Sequence, residues 1–276
     1  MTSVRRIYIG SRLRTSGTGS DFTYDVPKSF EIPDQTIAQV DCVLIPNVWG
    51  TIHDNNNRLY FSEWSDPNIV SEQIYTLPEG NYTGQQLAQL VQDTISATTI
   101  LTQAYSVSYD EKTGMLTISN PSGNFAIPTR HQLISLSKGG LTWAAQSLDQ
   151  NDLRDCHDVI GFNSSANDSV NGVLVADGYV DLLPYRCILL CSSSIGNPGT
   201  VVGPVGQDTI IRRIPISSGF GSLIYDAHST AADYIDVSQT QISQLHFRLT
   251  DERGRTIPMN GHGISFSICF MEKAIV

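Results

Sequence analysis

The densest set of groups able to hold a metal or move a proton lies in LDQNDLRDCHDVIGF, residues 148–162. Asp149, Asp152, Asp155 and Asp158 recur at every third position, and His157 stands beside the last. On a short helical turn these carboxylates fall near one face, and hard oxygen ligands of that kind suit calcium. The stretch lacks the glycine-containing loop of an EF-hand, so it is expected as a solvated acidic face capping a short helix. Leu153, Val159, Ile160 and Phe162 would supply its apolar side. Cys187 and Cys191, in CILLC, are four apart on an expected strand and share a face. Two further ligands at zinc spacing are missing nearby, which makes the pair structural thiols. His53, His131, His157, His228, His246 and His262 show no metal-ligand spacing either. Neither a metal nor a cofactor is expected.

Catalytic signatures are equally lacking. The sequence contains no G-x-S-x-G, H-E-x-x-H or G-x-x-x-x-G-K-[ST], and no complete G-x-G-x-x-G. Gly17-Thr18-Gly19 wants the third glycine and follows no buried strand. No catalytic residue is assigned, and no enzyme is expected. A nucleic-acid coat is disfavoured by the net charge of −10. The aromatics of RLYFSEW (58–64) and QLHFRL (244–249) have acids close to their arginines, and no basic stripe interleaves with them. DERGR (251–255) reads as a hairpin turn of mixed charge.

The bulk composition bounds the elements that must carry these residues. The chain has 276 residues, 40% apolar and 16% charged, enough to bury a real core. No run of eighteen apolar residues marks a membrane span. The start, MTSVRRIYIGSRLR, has basic residues without an apolar core or a cleavage site, so no secretory signal is expected. Five cysteines in no framework spacing suggest reduced thiols and folding inside a cell. The sequons at Asn81, Asn163 and Asn167 are then coincidental. Arg5, Arg6, Arg12 and Arg14 all precede the first acid, Asp21. Residues 1–20 are therefore expected as a flexible basic arm, able to dock on an acidic neighbour.

Beyond that arm the pattern is mostly period two, broken by turn chemistry. Strands are expected at 22–26, 37–46, 58–64, 71–77, 172–183, 185–193, 208–217, 221–226, 242–254 and 263–270, with a hairpin over 104–120 turning at Asp110 to Gly114. One segment differs. Leu87, Leu90, Val91 and Ile95 have helical spacing, Thr83 and Gln86 form a capping box, and Tyr82 with Leu87 forms a hydrophobic staple. Strands in this number imply an all-β protein of two packed antiparallel sheets with extra elements inserted.

Six stretches taken in order resemble a known family: SRLRTSGTGSDFTYDV (11–26), IPNVWGTIHDNNNRLYF (45–61), LPEGNYTGQQLAQLV (77–91), YSVSYDEKTGMLTIS (105–119), DVIGF (158–162) and FRLTDERGRTIPMNGHGISFSICF (247–270). The sequence resembles the penton, or minor capsid, proteins of virophages, polinton-like viruses and related icosahedral DNA viruses of eukaryotes. That resemblance implies a single jelly-roll β-sandwich over 21–276, with an inserted helix-plus-hairpin region at 71–165. It also implies a homopentamer at the capsid vertices of a virion, folded and assembled inside the host cell. Its neighbours would be a double-jelly-roll major capsid protein and a vertex fibre or host receptor. The adenovirus penton base, related by fold, carries an Arg-Gly-Asp loop. Here only Arg253-Gly254-Arg255 occurs, so integrin attachment is not carried over.

Other readings stay open at this point. A trimeric jelly-roll receptor-binding head of the TNF or C1q type, or of a phage tail, would share the strand pattern. So would the sole shell protein of a small single-jelly-roll virus. A lectin or a glycosidase on a β-sandwich is the remaining alternative, and the latter needs two carboxylates facing across a groove.

Overall fold

A computed structural model describes residues 4–32, 35–66, 69–138, 153–162, 168–183, 185–196, 201–227, 233–237 and 241–272. Contacts divide the chain into two compact units, residues 1–49 with 185–276, and residues 50–184. Along the chain come β1 (Val4–Gly10), β2 (Ser16–Gly17), β3 (Asp21–Glu31) and β4 (Thr36–Pro46). The second unit carries β5 (Arg58–Asp66), β6 (Ile69–Thr76), α1 (Gly84–Ser96), β7 (Ser106–Asp110), β8 (Met115–Ser119), β9 (Asn124–Ala126), α2 (Arg130–Lys138), α3 (His157–Ile160) and β10 (Val173–Val175). The first unit resumes with β11 (Cys187–Cys191), β12 (Ile210–Pro215), β13 (Leu223–Asp226), β14 (Ile235–Asp236), β15 (Gln241–Thr250) and β16 (Ser265–Glu272).

The first unit holds two antiparallel sheets. One runs β1-β16-β4-β13, with β14 also on β4, and the other runs β12-β11-β15-β3-β2. Setting aside the two-residue strands β2 and β14, eight described strands remain. Counted in chain order, the first sheet takes the first, eighth, third and sixth. The second takes the second, seventh, fourth and fifth. That interleaving of early and late strands is the jelly-roll order. Period-two alternation turns Val43 and Ile45 of β4 and Phe266 and Ile268 of β16 inward, into one core with Phe22, Leu245, Phe247 and Ile188. Phe247 and Phe266, from opposite sheets, meet edge-on with ring centroids 4.8 Å apart. Burying each such ring contributes about 1.5–3 kcal/mol.

Of the expected arm at residues 1–20, the described part, 4–20, is not free. β1 pairs with β16 from Val4 opposite Met271 to Gly10 opposite Ser265, and β2 pairs with β3. The physical reason is the alternation Arg6-Ile7-Tyr8-Ile9. Ile9 is buried and Ile7 packs against the core, while Arg6 and Tyr8 take the opposite, solvent face. The arginines suggest a tail, yet Arg5 and Arg6 lie on a paired strand, and Arg12 and Arg14 lie in and just after the turn that follows it.

In the second unit two three-stranded sheets, β6-β5-β9 and β10-β8-β7, share a core with α1. Thr83 Oγ1 accepts from Gln86 N at 3.3 Å, and Gln86 Oε1 accepts from Thr83 N at 3.0 Å, closing the capping box. The helix buries Leu87, Ala88, Val91 and Ile95 among Leu59, Phe61, Leu116, Ile118 and Phe125. It is therefore central to this unit's core. The β7–β8 turn is locked where Gly114, at φ +71°, donates to Asp110 O at 2.7 Å. The stretch 71–165 falls wholly inside this unit, which leaves the jelly roll after its third long strand and rejoins it before the fourth. No helix among the described residues is long and apolar enough to cross a membrane.

Candidate functional site

Of the four regularly spaced carboxylates, Asp149 and Asp152 lie outside the described residues. The other two engage a cation already supplied by the protein. Arg130, at the start of α2, donates from Nε to Asp155 Oδ2 at 2.9 Å and from Nη2 to Asp155 Oδ1 at 2.6 Å. The same Nη2 reaches Asp158 Oδ2 at 3.0 Å. Asp158 is solvated as expected, with its side chain 59% exposed, but Asp155 is only 1% exposed. The expected acidic face is thus half buried, because a guanidinium from 25 residues upstream neutralises it. His157 Nδ1 lies 3.2 Å from Asp155 Oδ1 without hydrogen-bond geometry. Burial works to raise the Asp155 carboxyl, but His157 and Arg130 beside it hold it well below the usual carboxylate range. Leu153, Val159, Ile160 and Phe162 are all buried, as their spacing predicts.

Cys187 and Cys191 are buried. Cys187 Sγ donates to Glu252 Oε1 at 3.1 Å, and Cys191 Sγ sits 3.8 Å from Thr250 Oγ1. Burial pushes both thiols up. Among the described residues no group of three or more His, Cys, Asp or Glu is placed to hold a metal.

One arrangement not legible from spacing resembles a nucleophilic triad. Ser193 Oγ lies 3.2 Å from His246 Nδ1, and His246 Nε2 lies 2.8 Å from Asp21 Oδ1. Its surroundings do not support acyl transfer. The His246 and Asp21 side chains are 40% and 41% exposed. Ser194 N donates to Ser192 Oγ and Gly196 N to Ser192 O, so these amides serve the turn and do not converge beside Ser193 as an oxyanion hole requires. The chain ties β3, β15 and the turn after β11 together.

Two buried ionic groups escape a search for motifs but follow from strand parity. Glu63 shares the inward face of β5 with Leu59 and Phe61. It accepts from Thr99 Oγ1 at 2.7 Å, Ile100 N at 2.8 Å and Tyr105 Oη at 2.8 Å, fastening the segment after α1. Arg212 shares the inward face of β12 with Ile214 and meets Asp226 of β13. Both are structural.

Among the described residues, the first unit exposes side chains on the outer face of one sheet, from its β1 edge to its β13 edge. On that face Tyr8 of β1 is 70% exposed, and Leu223 and Tyr225 of β13 are 56% and 63% exposed. Between them Arg6 donates to Cys269 Sγ at 3.1 Å and pairs with Asp41 at 3.3 Å, and Ser267 Oγ donates to Asp41 at 3.1 Å. Leu13, at the end of the turn that follows β1, is 73% exposed between Arg12 and Arg14. Exposed apolar residues thus stand on both edge strands of one sheet among the described residues.

Strand order and sheet pairing together define a jelly-roll protein with an inserted second unit. In structure the chain is similar to the selenomethionine-labelled mavirus penton protein, at 9% identity and a TM-score of 0.49, over 98% of this chain and 99% of that one. It is also similar to a chain of the cryo-EM structure of the Sputnik virophage, at 12% identity and a TM-score of 0.43, over 99% of this chain and 98% of that one. No family model matches the chain, and no curated protein matches it in sequence.

Proposed function

We propose that this chain is a structural capsid protein that forms a homopentamer at the five-fold vertices of an icosahedral virion. The observation that carries the reading is the jelly-roll order of its eight long strands, an architecture recurrent in viral shells. It is supported by the resemblance of six stretches between residues 11 and 270 to penton proteins. Exposed apolar residues on the edge strands of the first sheet fit a subunit that works by contact. The ionic groups described above are engaged within the chain, which suits a scaffold better than a catalyst. The partners are copies of itself and a double-jelly-roll major capsid protein, with a vertex fibre or host receptor beyond them. The segment 71–165 serves as a decoration inserted into the jelly roll, and folding and assembly take place inside the host cell.

The test is native mass by light scattering across a range of salt, with ring counting by negative-stain microscopy. A species near five times 30.2 kDa, seen as five-fold rings, is the expected result. A stable trimer would move the assignment to a receptor-binding head. Turnover at a defined pocket would replace it with an enzyme.

A further inference from the structure

The chain contains two Asn-Gly dipeptides, Asn171-Gly172 and Asn260-Gly261. Each forms the centre of a two-residue turn. Val173 N donates to Val170 O at 3.1 Å across the first, and His262 N donates to Met259 O at 2.8 Å across the second. Asn171 and Gly172 have φ of +53° and +71°, and Asn260 and Gly261 have φ of +47° and +80°. Left-handed φ at both central positions is what Asn-Gly supplies to such turns. Both asparagines are exposed. The same dipeptide in the same backbone makes the two sites a matched pair, and their side chains then differ. Asn260 Nδ2 donates to Val48 O at 2.8 Å, whereas the Asn171 amide has no hydrogen-bond partner among the described residues.

Asparagine is a thermolabile residue because the backbone nitrogen that follows it can attack its side-chain amide. That nitrogen bonds to Cγ, the Cγ–Nδ2 bond breaks, and ammonia leaves with the proton given up by the attacking nitrogen. A five-membered succinimide remains. Water then opens the ring at one of its two carbonyls, giving aspartate or the chain-lengthened isoaspartate. A following glycine favours the attack, since no Cβ crowds the nitrogen. At the first site nothing larger fits, because a Cβ on Gly172 would collide with Asn120 O. The asparagine side chain must also turn toward that nitrogen. At Asn260 the hydrogen bond to Val48 has to break first, and at Asn171 no such bond holds the amide.

We infer that Asn171 is a site of spontaneous covalent modification, converting to aspartate and isoaspartate in the folded protein ahead of Asn260. The product sets a carboxylate between Val170 and Val173, which are 72% and 43% exposed, so an apolar surface turn gains a negative charge. Isoaspartate also adds a backbone atom to a turn of two residues, directly before β10, an edge strand of its sheet among the described residues.

Peptide mapping by mass spectrometry tests it, on the full chain incubated in mildly alkaline buffer and on the same chain unfolded in urea. In the folded protein Asn171 is expected to convert about two- to tenfold faster than Asn260, the range set by the net worth of one hydrogen bond. In urea, where neither turn persists, the two sites are expected to convert at similar rates. Asn171→Gly keeps a residue suited to positive φ and should abolish the early mass gain while Asn260 converts as before. Circular dichroism confirms that this variant is folded. Equal rates in the folded protein, or Asn260 leading, would overturn the assignment. A lead for Asn171 that persists in urea would trace the difference to flanking residues and would also overturn it. So would a folded chain that leaves Asn171 intact while the unfolded chain converts, since the turn would then be protective.

Discussion

Arg212 of β12 donates from Nε to Asp226 Oδ2 of β13 at 2.8 Å, joining the two sheets of the jelly roll by a buried ion pair. Asp233 approaches the same guanidinium, at 3.3 Å from Nη1. Both members of the pair are close to 5% exposed, so neither has much water to replace its partner.

Removing one partner should therefore cost more than the pair is worth. Asp226→Ala is expected to destabilise the protein by up to about 3–5 kcal/mol, since it leaves the buried guanidinium with the 3.3 Å contact of the more exposed Asp233 as its remaining carboxylate partner among the described residues. Replacing both residues with apolar ones of similar volume should cost far less. Urea unfolding of the two variants reads the difference directly.

A second expectation concerns acid. Asp155 is held below its ordinary value in the folded chain, so it contributes stability above the unfolded value, roughly pH 4. As pH falls below that, the unfolded chain binds a proton that native Asp155 refuses, and this stability is progressively lost. Unfolding free energies measured from pH 6 to pH 3 should decline for the unmodified protein. Asp155→Asn should start lower and show a shallower decline.

Thr83→Ala opens the capping box of α1 and should cost about 1 kcal/mol. Thermal unfolding followed by circular dichroism at a helical wavelength would reveal it as a lowered Tm. Thr83→Ser, which keeps the acceptor oxygen, should stay close to the unmodified protein.

Thiol chemistry offers a fourth check. Cys42 is half-buried, whereas Cys156, Cys187, Cys191 and Cys269 are buried. Cys156 is pushed up by burial and then by the charge of Asp155, which disfavours its reactive thiolate. A thiol-reactive dye should label Cys42 first in the folded protein and all five cysteines after denaturation. Rapid native labelling at Cys156 would contradict the packing around α3.

Much of this was legible residue by residue. The runs at 37–46 and 58–64 became β4 and β5, and Asp110 to Gly114 turned the β7–β8 hairpin, because alternation and turn chemistry are local signals. The Thr83–Gln86 box was local too. β1 was missed because its only cue, Ile7 and Ile9, was outweighed by the arginines around it, and its partner lies more than 250 residues away. The burial of Asp155 and the pairing of Arg212 likewise depend on side chains brought from other elements. Parity along β5 and β12 did contain a hint, since Glu63 and Arg212 occupy inward positions among apolar neighbours.

The pairing of β1 with β16 also sets a clock. During synthesis, residues 50–184 are complete before β11 to β16 leave the ribosome, and their mutual contacts let them fold while the rest is awaited. β1 emerges before every other described strand, yet its sheet partner is the last of them to be made. Such a long-range pairing is intrinsically slow to form. A chain cut short anywhere before β16 leaves β1 without that partner, so interrupted products lack the β1–β16 side of the sheet. A completed sheet therefore requires both β1 and β16, however far apart in time they are made.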